Sequence, residues 1–192
     1  MRVVGGNFRG RHIRAPEGRV TRPTSDRTRE ALFNILMHAE WAPAFEGLRV
    51  IDAFAGSGAL GVEALSRGAA FCLFIEADSA ARGCIRDNIE HFQLFGVTRI
   101  HRRSATDLGT RPASLGAPFD LVFMDPPYGY NLVPKATAQL ESGGWLTPEA
   151  ILIAETGSEE DTPDLPNWSV LDTRLYGAAR ITIYKRENGA RE

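Results

Sequence analysis

The sequence predicts an α/β chain with a mostly parallel sheet, helices on both faces, and a closing antiparallel pair of strands. Three observations carry this. Short apolar runs ("LRVIDAF", "AFCLFIE", "VTRIHRR", "FDLVFMD", "AILIAET") alternate with stretches of helical periodicity. Candidate ligand loops follow the first and fourth runs, at strand carboxyl ends, where open parallel sheets bind ligands. The last two runs, "WSVLDTRLYG" and "ARITIYK", are separated only by Gly177 and its neighbours, which demands an antiparallel return.

Taken in order, "RVVGG" and "RGRHIRA" flank a Gly-Asn turn and read as a short β-hairpin. Ser25 or Asp26 can cap a helix running to about His38, with Ala31, Leu32, Ile35 and Leu36 on one face. The first buried strand follows, then a glycine loop and a helix over 58–67 with Gly68 at its end. The second strand leads to a helix over 79–93, and the fourth to a helix over 131–142. "GSEEDTPDLPN" reads as a solvated acidic loop before the closing pair. Seven strands result.

Composition bounds the function. A chain of 192 residues, 43% hydrophobic and 24% charged, builds one sizeable core. No apolar run reaches the roughly 20 residues of a membrane span, and the N-terminus has no apolar signal core. Two cysteines without ligand spacing and four scattered histidines predict a reduced, cytoplasmic protein without a metal. Charge is uneven: residues 1–29 hold eight arginines against Glu17 and Asp26, so a net −2 chain carries a basic end on an acidic body. The alternative is a solvated charged surface. The choice of Arg throughout, with no Lys, favours phosphate contact, because guanidinium groups bind phosphate bidentately and stack on bases.

"VIDAFAGSGALGVEAL" fits G-x-G-x-x-G through Gly56, Gly58 and Gly61, a spacing shared with dinucleotide sites. Glu76 ends the next strand, where an acid accepts hydrogen bonds from ribose hydroxyls. Asp52 discriminates. A carboxylate repels a pyrophosphate but attracts the ammonium and sulfonium of S-adenosylmethionine. The alternative for Asp52 is a helix cap or turn residue. In "FDLVFMDPPYGY", two prolines stop the fourth strand and leave the Pro126 carbonyl available beside the Asp125 carboxylate and the Tyr128 ring. Two acceptors and a stacking plate suit the exocyclic amine of a nucleobase. Accepting its N–H hydrogens localises the lone pair on nitrogen, and the carboxylate stabilises the positive charge that develops.

"GGNFRGRHI", "TRPTSDRTREALFNIL", "DAFAGSGALGVEALSRGA" and "DPPY", in that order, resemble the bacterial RsmD family through about residue 155. The resemblance implies a Rossmann-like class I methyltransferase fold and transfer from S-adenosylmethionine to a guanine N2 of 16S rRNA in the small ribosomal subunit. It implies that Asp52, Phe54, Ala55, Gly56, Ser57 and Gly58 hold the methionine moiety, with Glu76 and Ala77 at the ribose. Asp125, Pro126 and Tyr128 then meet the target amine, with Asp125 also bordering the cofactor, and Thr24 lies near the cofactor carboxylate. Where many relatives carry an acid before Ala, this chain has Ser104-Ala105, which leaves a neutral acceptor for the adenine, with Asp107 three residues late. Residues 1–24 are expected to form a basic hairpin extension for RNA, and 25–192 a methyltransferase domain acting as a monomer. The RNA contacts expected are Asn7, Arg9, Arg11, Arg14, Arg22 and Arg27. Competing readings are an amino-methyltransferase on another base such as DNA adenine, a dinucleotide oxidoreductase and a non-catalytic RNA-binding module. Asp52 and D-P-P-Y oppose the oxidoreductase, and an intact cofactor loop opposes the module.

Overall fold

The computed structural model describes residues 1–16 and 25–187. After the N-terminal segment come α1 (Asp26–His38), β1 (Arg49–Ala53), α2 (Ala59–Ser66), β2 (Phe71–Ile75), α3 (Ser79–Phe92) and β3 (Thr98–His101). β4 (Phe119–Met124), α4 (Leu132–Ser142), β5 (Leu146–Gly157), β6 (Trp168–Tyr176) and β7 (Ala179–Arg186) complete the order. The seven strands form one sheet in the order β3-β2-β1-β4-β5-β7-β6. Pairs among β1 to β5 are parallel, whereas β7 runs antiparallel to both β5 and β6. The chain starts at β1, winds outward to β3 and then crosses to β4, so the strand order reverses between β1 and β4. That reversal opens a crevice at the strand carboxyl ends.

Strand periodicity divides the core. Val50, Cys72, Phe74, Leu121 and Phe123 face α1, α2 and α3, while Ile51, Leu73, Ile75, Val122 and Met124 face α4 and the tryptophans Trp145 and Trp168. Among the described residues the second face thus has one α-helix, α4, helped by the connection that carries Ala105, Leu108 and Leu115. α1 buries Arg29, Leu32, Phe33 and Leu36. The face is rotated from the expected one because Phe33, not Ala31, packs on Phe123, ring centroids 5.4 Å apart. The Ser25 side chain accepts the Thr28 N–H at 3.0 Å, as expected of a cap.

The N-terminal hairpin is less regular than the sequence predicts. It holds one antiparallel bridge, Arg2 to His12, around a 3₁₀ turn at Gly6–Phe8. Val3 and Ile13 are sunk in the core, and backbone hydrogen bonds from Val3 N to the Arg11 carbonyl (3.0 Å), Gly10 N to the Val3 carbonyl (2.8 Å) and Ile13 N to the Met1 carbonyl (2.9 Å) join the two arms. Helix side chains satisfy further backbone groups of the segment. Glu63 accepts the Val4 N–H at 2.9 Å, and Ser66 accepts from Phe8 N (2.9 Å) and donates to the Gly5 carbonyl (2.6 Å). The wholly buried Asn88 accepts from Arg14 N at 2.9 Å and donates to the Arg14 carbonyl at 3.0 Å. The acidic loop is anchored by Leu165 in the core and by the Tyr184 hydroxyl, which donates to the Pro163 carbonyl at 2.8 Å.

Candidate active site

Each glycine of the loop has a separate task. Gly56 (φ +54°) and Gly58 (φ +77°) take left-handed conformations that let the chain turn straight from β1 into α2, with Gly58 as the N-cap. Gly61 permits close packing: a Cβ there would lie 2.4 Å from Phe74 Cε1 and 2.5 Å from Cys72 Sγ. Phe54, also left-handed at φ +60°, is a bulky residue in a strained turn, a feature that clusters at ligand sites.

Asp52 is 2% exposed, and its Oδ2 accepts the Gly61 N–H at 2.9 Å, in the first turn of α2. The helix-cap alternative therefore holds as geometry, while Asp52 also borders the cavity described below. Burial pushes its carboxyl well above the ordinary carboxylate range; the Gly61 N–H opposes this, and Asp125 and Glu76 add to it. Glu76 shapes two loops at once. Its Oε2 accepts the Gly56 N–H and its Oε1 the Asp78 N–H, both at 2.8 Å. Asp78 in turn caps α3, accepting from Ala81 N at 2.8 Å.

Asp125 follows β4, and Pro126 is buried while Pro127 and Tyr128 are exposed. The Tyr128 hydroxyl donates to Oε1 of the buried Glu155 at 2.5 Å, which fixes the outer end of the ring. Ser104 turns inward on its own loop: its Oγ accepts the Thr106 N–H at 3.2 Å and lies 2.8 Å from Thr106 Oγ1.

A cavity of about 610 Å³ gathers most of the expected residues: Asp52, Phe54, Ala55, Gly56, Ser57, Glu76, Ala77, Ser104, Ala105, Asp125, Pro126 and Tyr128 all border it. Gly58 does not border it; it packs under the loop against Phe74. Asp107 is exposed and stands apart from the cavity wall. Thr24 and Arg22 lie outside the described residues. Met1, Ala15 and Pro16 add a wall from the N-terminal segment, and Arg29 one from α1.

None of the described arginines expected to bind RNA borders the cavity. Asn7, Arg9 and Arg27 are exposed, and Arg14 pairs with Asp87 at 3.6 Å. Arg11 is committed to the protein, stacked 4.6 Å from the Phe92 ring centroid and donating to the His91 carbonyl at 2.6 Å. Three functional candidates escape sequence reading: Arg29, Asn88 and Glu155. Asn88 reaches the glycine loop, donating to the Ser57 carbonyl at 2.9 Å. The available signal was a polar residue on the apolar face of a helix, or at the end of a buried strand.

A family model described as conserved hypothetical protein 95 matches residues 1–185. Ribosomal RNA small subunit methyltransferase D of Escherichia coli (strain K12) is 37% identical over 188 residues, 97% of this chain and 90% of its own length. The protein of the same name from Haemophilus influenzae is 32% identical over 186 residues, 96% and 93% of the two chains. The solved structure of yhhF from Escherichia coli has a TM-score of 0.82 at 35% identity, covering 98% of this chain and 99% of that one. Matched over nearly its full length, with the glycine loop and D-P-P-Y facing one cavity, the chain belongs to the conserved hypothetical protein 95 family, the RsmD family its motifs resemble.

Proposed function

We propose that this chain is an rRNA methyltransferase that transfers a methyl group from S-adenosylmethionine to the exocyclic N2 amine of a guanine in 16S rRNA, within the assembled small ribosomal subunit. The observation that carries the proposal is the convergence of Asp125-Pro126-Pro127-Tyr128 and the glycine loop on one cavity at the reversal of strand order. The names of the relatives support the RNA of the small subunit as substrate.

The cavity fits a cationic, phosphate-free cofactor. Asp52, Glu76, Asp78 and Asp125 border it, a set that repels a pyrophosphate and attracts an ammonium and a sulfonium. Gly56 N–H, the donor that would approach a phosphate in a dinucleotide site, is already spent on Glu76. S-adenosylmethionine, when bound, supplies an electrophilic methyl group on sulfur. The protein does the rest by orientation and charge. Glu76 and Ala77 face the ribose, Ser104 and Ala105 the adenine, and Asp52 with the loop 54–57 the methionine moiety. Asp125 and the Pro126 carbonyl accept the amine hydrogens, turn the nitrogen lone pair toward the methyl group and stabilise the charge that builds on nitrogen. Tyr128 stacks on the base, its ring steadied by Glu155.

A few arginines and one stacking ring cannot select a single guanine by reading base edges, so selection rests on the shape of the assembled particle. The test compares methyl incorporation into protein-free 16S rRNA and into subunits from a strain lacking the enzyme, followed by mapping of the modified base. Subunits are expected to be the better substrate, with N2-methylguanine as product. Equal rates would end the assembled-shape reading, and a different methylated base the guanine reading.

A further inference from the structure

We infer that Arg29 receives the α-carboxylate of the cofactor's amino-acid end. The inference rests on the S-adenosylmethionine reading above. Arg29 lies on α1 with 1% of its side chain exposed, yet it borders the cavity. Among the described residues, the charged ones around that cavity are four acids, Asp52, Glu76, Asp78 and Asp125, and two cations, Arg29 and Arg103. An amino-acid end carries both signs. The acids answer its ammonium; its carboxylate needs a cationic donor, which these four acids do not supply.

Of the two cations, Arg29 stands at the right end. Its helix packs over the central strands through Phe33 and Phe123, above the reversal point where the β1 loop and Asp125 emerge. Arg103 follows β3, at the sheet edge, beside Ser104. The guanidinium is also incompletely used. Nη2 donates to the Arg2 carbonyl and to Asp26 Oδ1 at 2.9 Å. Nε faces Glu63 Oε2 at 3.7 Å and makes no hydrogen bond. Among the described residues, Nη1 reaches the Met1 sulfur alone, at 3.7 Å, and a thioether is a weak acceptor that a carboxylate readily displaces. Asp26 and Glu63 hold the group in place and leave the Nη1 edge for an anion.

Calorimetry tests this with ligands that differ at the amino-acid end. On the unaltered protein, S-adenosylmethionine is expected to bind about 10–100-fold more tightly than decarboxylated S-adenosylmethionine, which keeps the ammonium and sulfonium. In Arg29→Lys that advantage should shrink at least several-fold, while 5′-methylthioadenosine, which lacks the whole amino-acid end, keeps its affinity. Equal affinity of the unaltered protein for the two S-adenosyl ligands overturns the inference, even if no Arg29 variant folds. Equal loss of all three ligands in Arg29→Lys also overturns it, since that marks a scaffold role. If the unaltered protein binds none of them, the cofactor reading falls as well. Binding of S-adenosylmethionine without the carboxylate preference removes Arg29 alone.

Discussion

At Asp52 a carboxylate that caps α2 also faces a cavity shared with Asp125 and Glu76. Because burial raises its proton affinity in the folded chain, folding is favoured by the protonated form. That contribution is full below the ordinary carboxylate pKa of about 4 and is lost as pH rises through the raised folded value. Asp52→Asn keeps an oxygen for the Gly61 N–H without a charge. It should melt higher than the parent chain near neutral pH, with the difference shrinking toward pH 4, and bind S-adenosylmethionine more weakly. A variant that melts lower at pH 8 than at pH 5 relative to the parent contradicts this. Asp125 weighs more on chemistry than on binding: Asp125→Ala should abolish methyl transfer with cofactor affinity largely retained, and Asp125→Asn should lose about 10²–10³-fold in turnover. Full turnover by Asp125→Ala would remove it from the reaction. Tyr128 splits in the same way. From sequence alone, Tyr128→Phe reads as harmless because stacking survives, but the hydroxyl also binds the buried Glu155. Chemical denaturation should show a loss of about 1.5–3 kcal/mol in Tyr128→Phe with RNA affinity nearly unchanged. Tyr128→Ala should reverse the emphasis and weaken RNA binding by about 1–3 kcal/mol.

Among the elements, α2 packs directly on β2 beside the glycine loop. Gly61→Ala drives a methyl group into Phe74 and Cys72, so α2 must move outward. Overpacking of this kind costs about 1–3 kcal/mol, and the shift would also loosen the Asp52 cap. Urea unfolding paired with cofactor calorimetry should show both losses; a stable variant of reduced affinity would mean the loop moves without its helix. Most elements were legible because parallel strands buried on both faces leave unbroken apolar runs such as "LVFM". β5 begins at Leu146, earlier than the apolar run "AILIAET", because Thr147-Pro148 hides the start of an exposed strand end. The contiguous parts of the site were legible for a related reason: a loop and a tetrapeptide carry their own geometry. Arg29 with Glu63, Asn88 with Arg14 and Tyr128 with Glu155 were not, since each pair meets only once the topology has brought distant segments together.

For the molecule as a whole, the uneven charge leaves Arg9 as the clearest probe of RNA contact. It is exposed and away from the cavity, whereas Arg11 already serves Phe92 and His91. Arg9→Glu should weaken RNA binding and reduce the magnitude of its salt slope by about 0.7–0.9, leaving cofactor affinity intact. An unchanged slope would put the phosphate contacts elsewhere. Arg11→Glu is the poorer probe because it also disturbs a packed ring.

The N-terminal segment was expected to be a basic hairpin extension, and within its described part the backbone is completed by Glu63, Ser66 and Asn88 from two helices of the main body. Glu63 also pairs with Arg67 and Asn88 also reaches the Ser57 carbonyl, so the segment is tied into the same buried polar network as the glycine loop, and two of the three side chains are wholly shut away from water. Segment and helices are therefore one inheritance. Cutting residues 1–14 away would strand polar atoms in the interior, so a truncated chain that fails to bind RNA reports lost folding as much as lost recognition. Grafting the segment onto another sheet of this kind would succeed only if Glu63, Ser66 and Asn88 travelled with it.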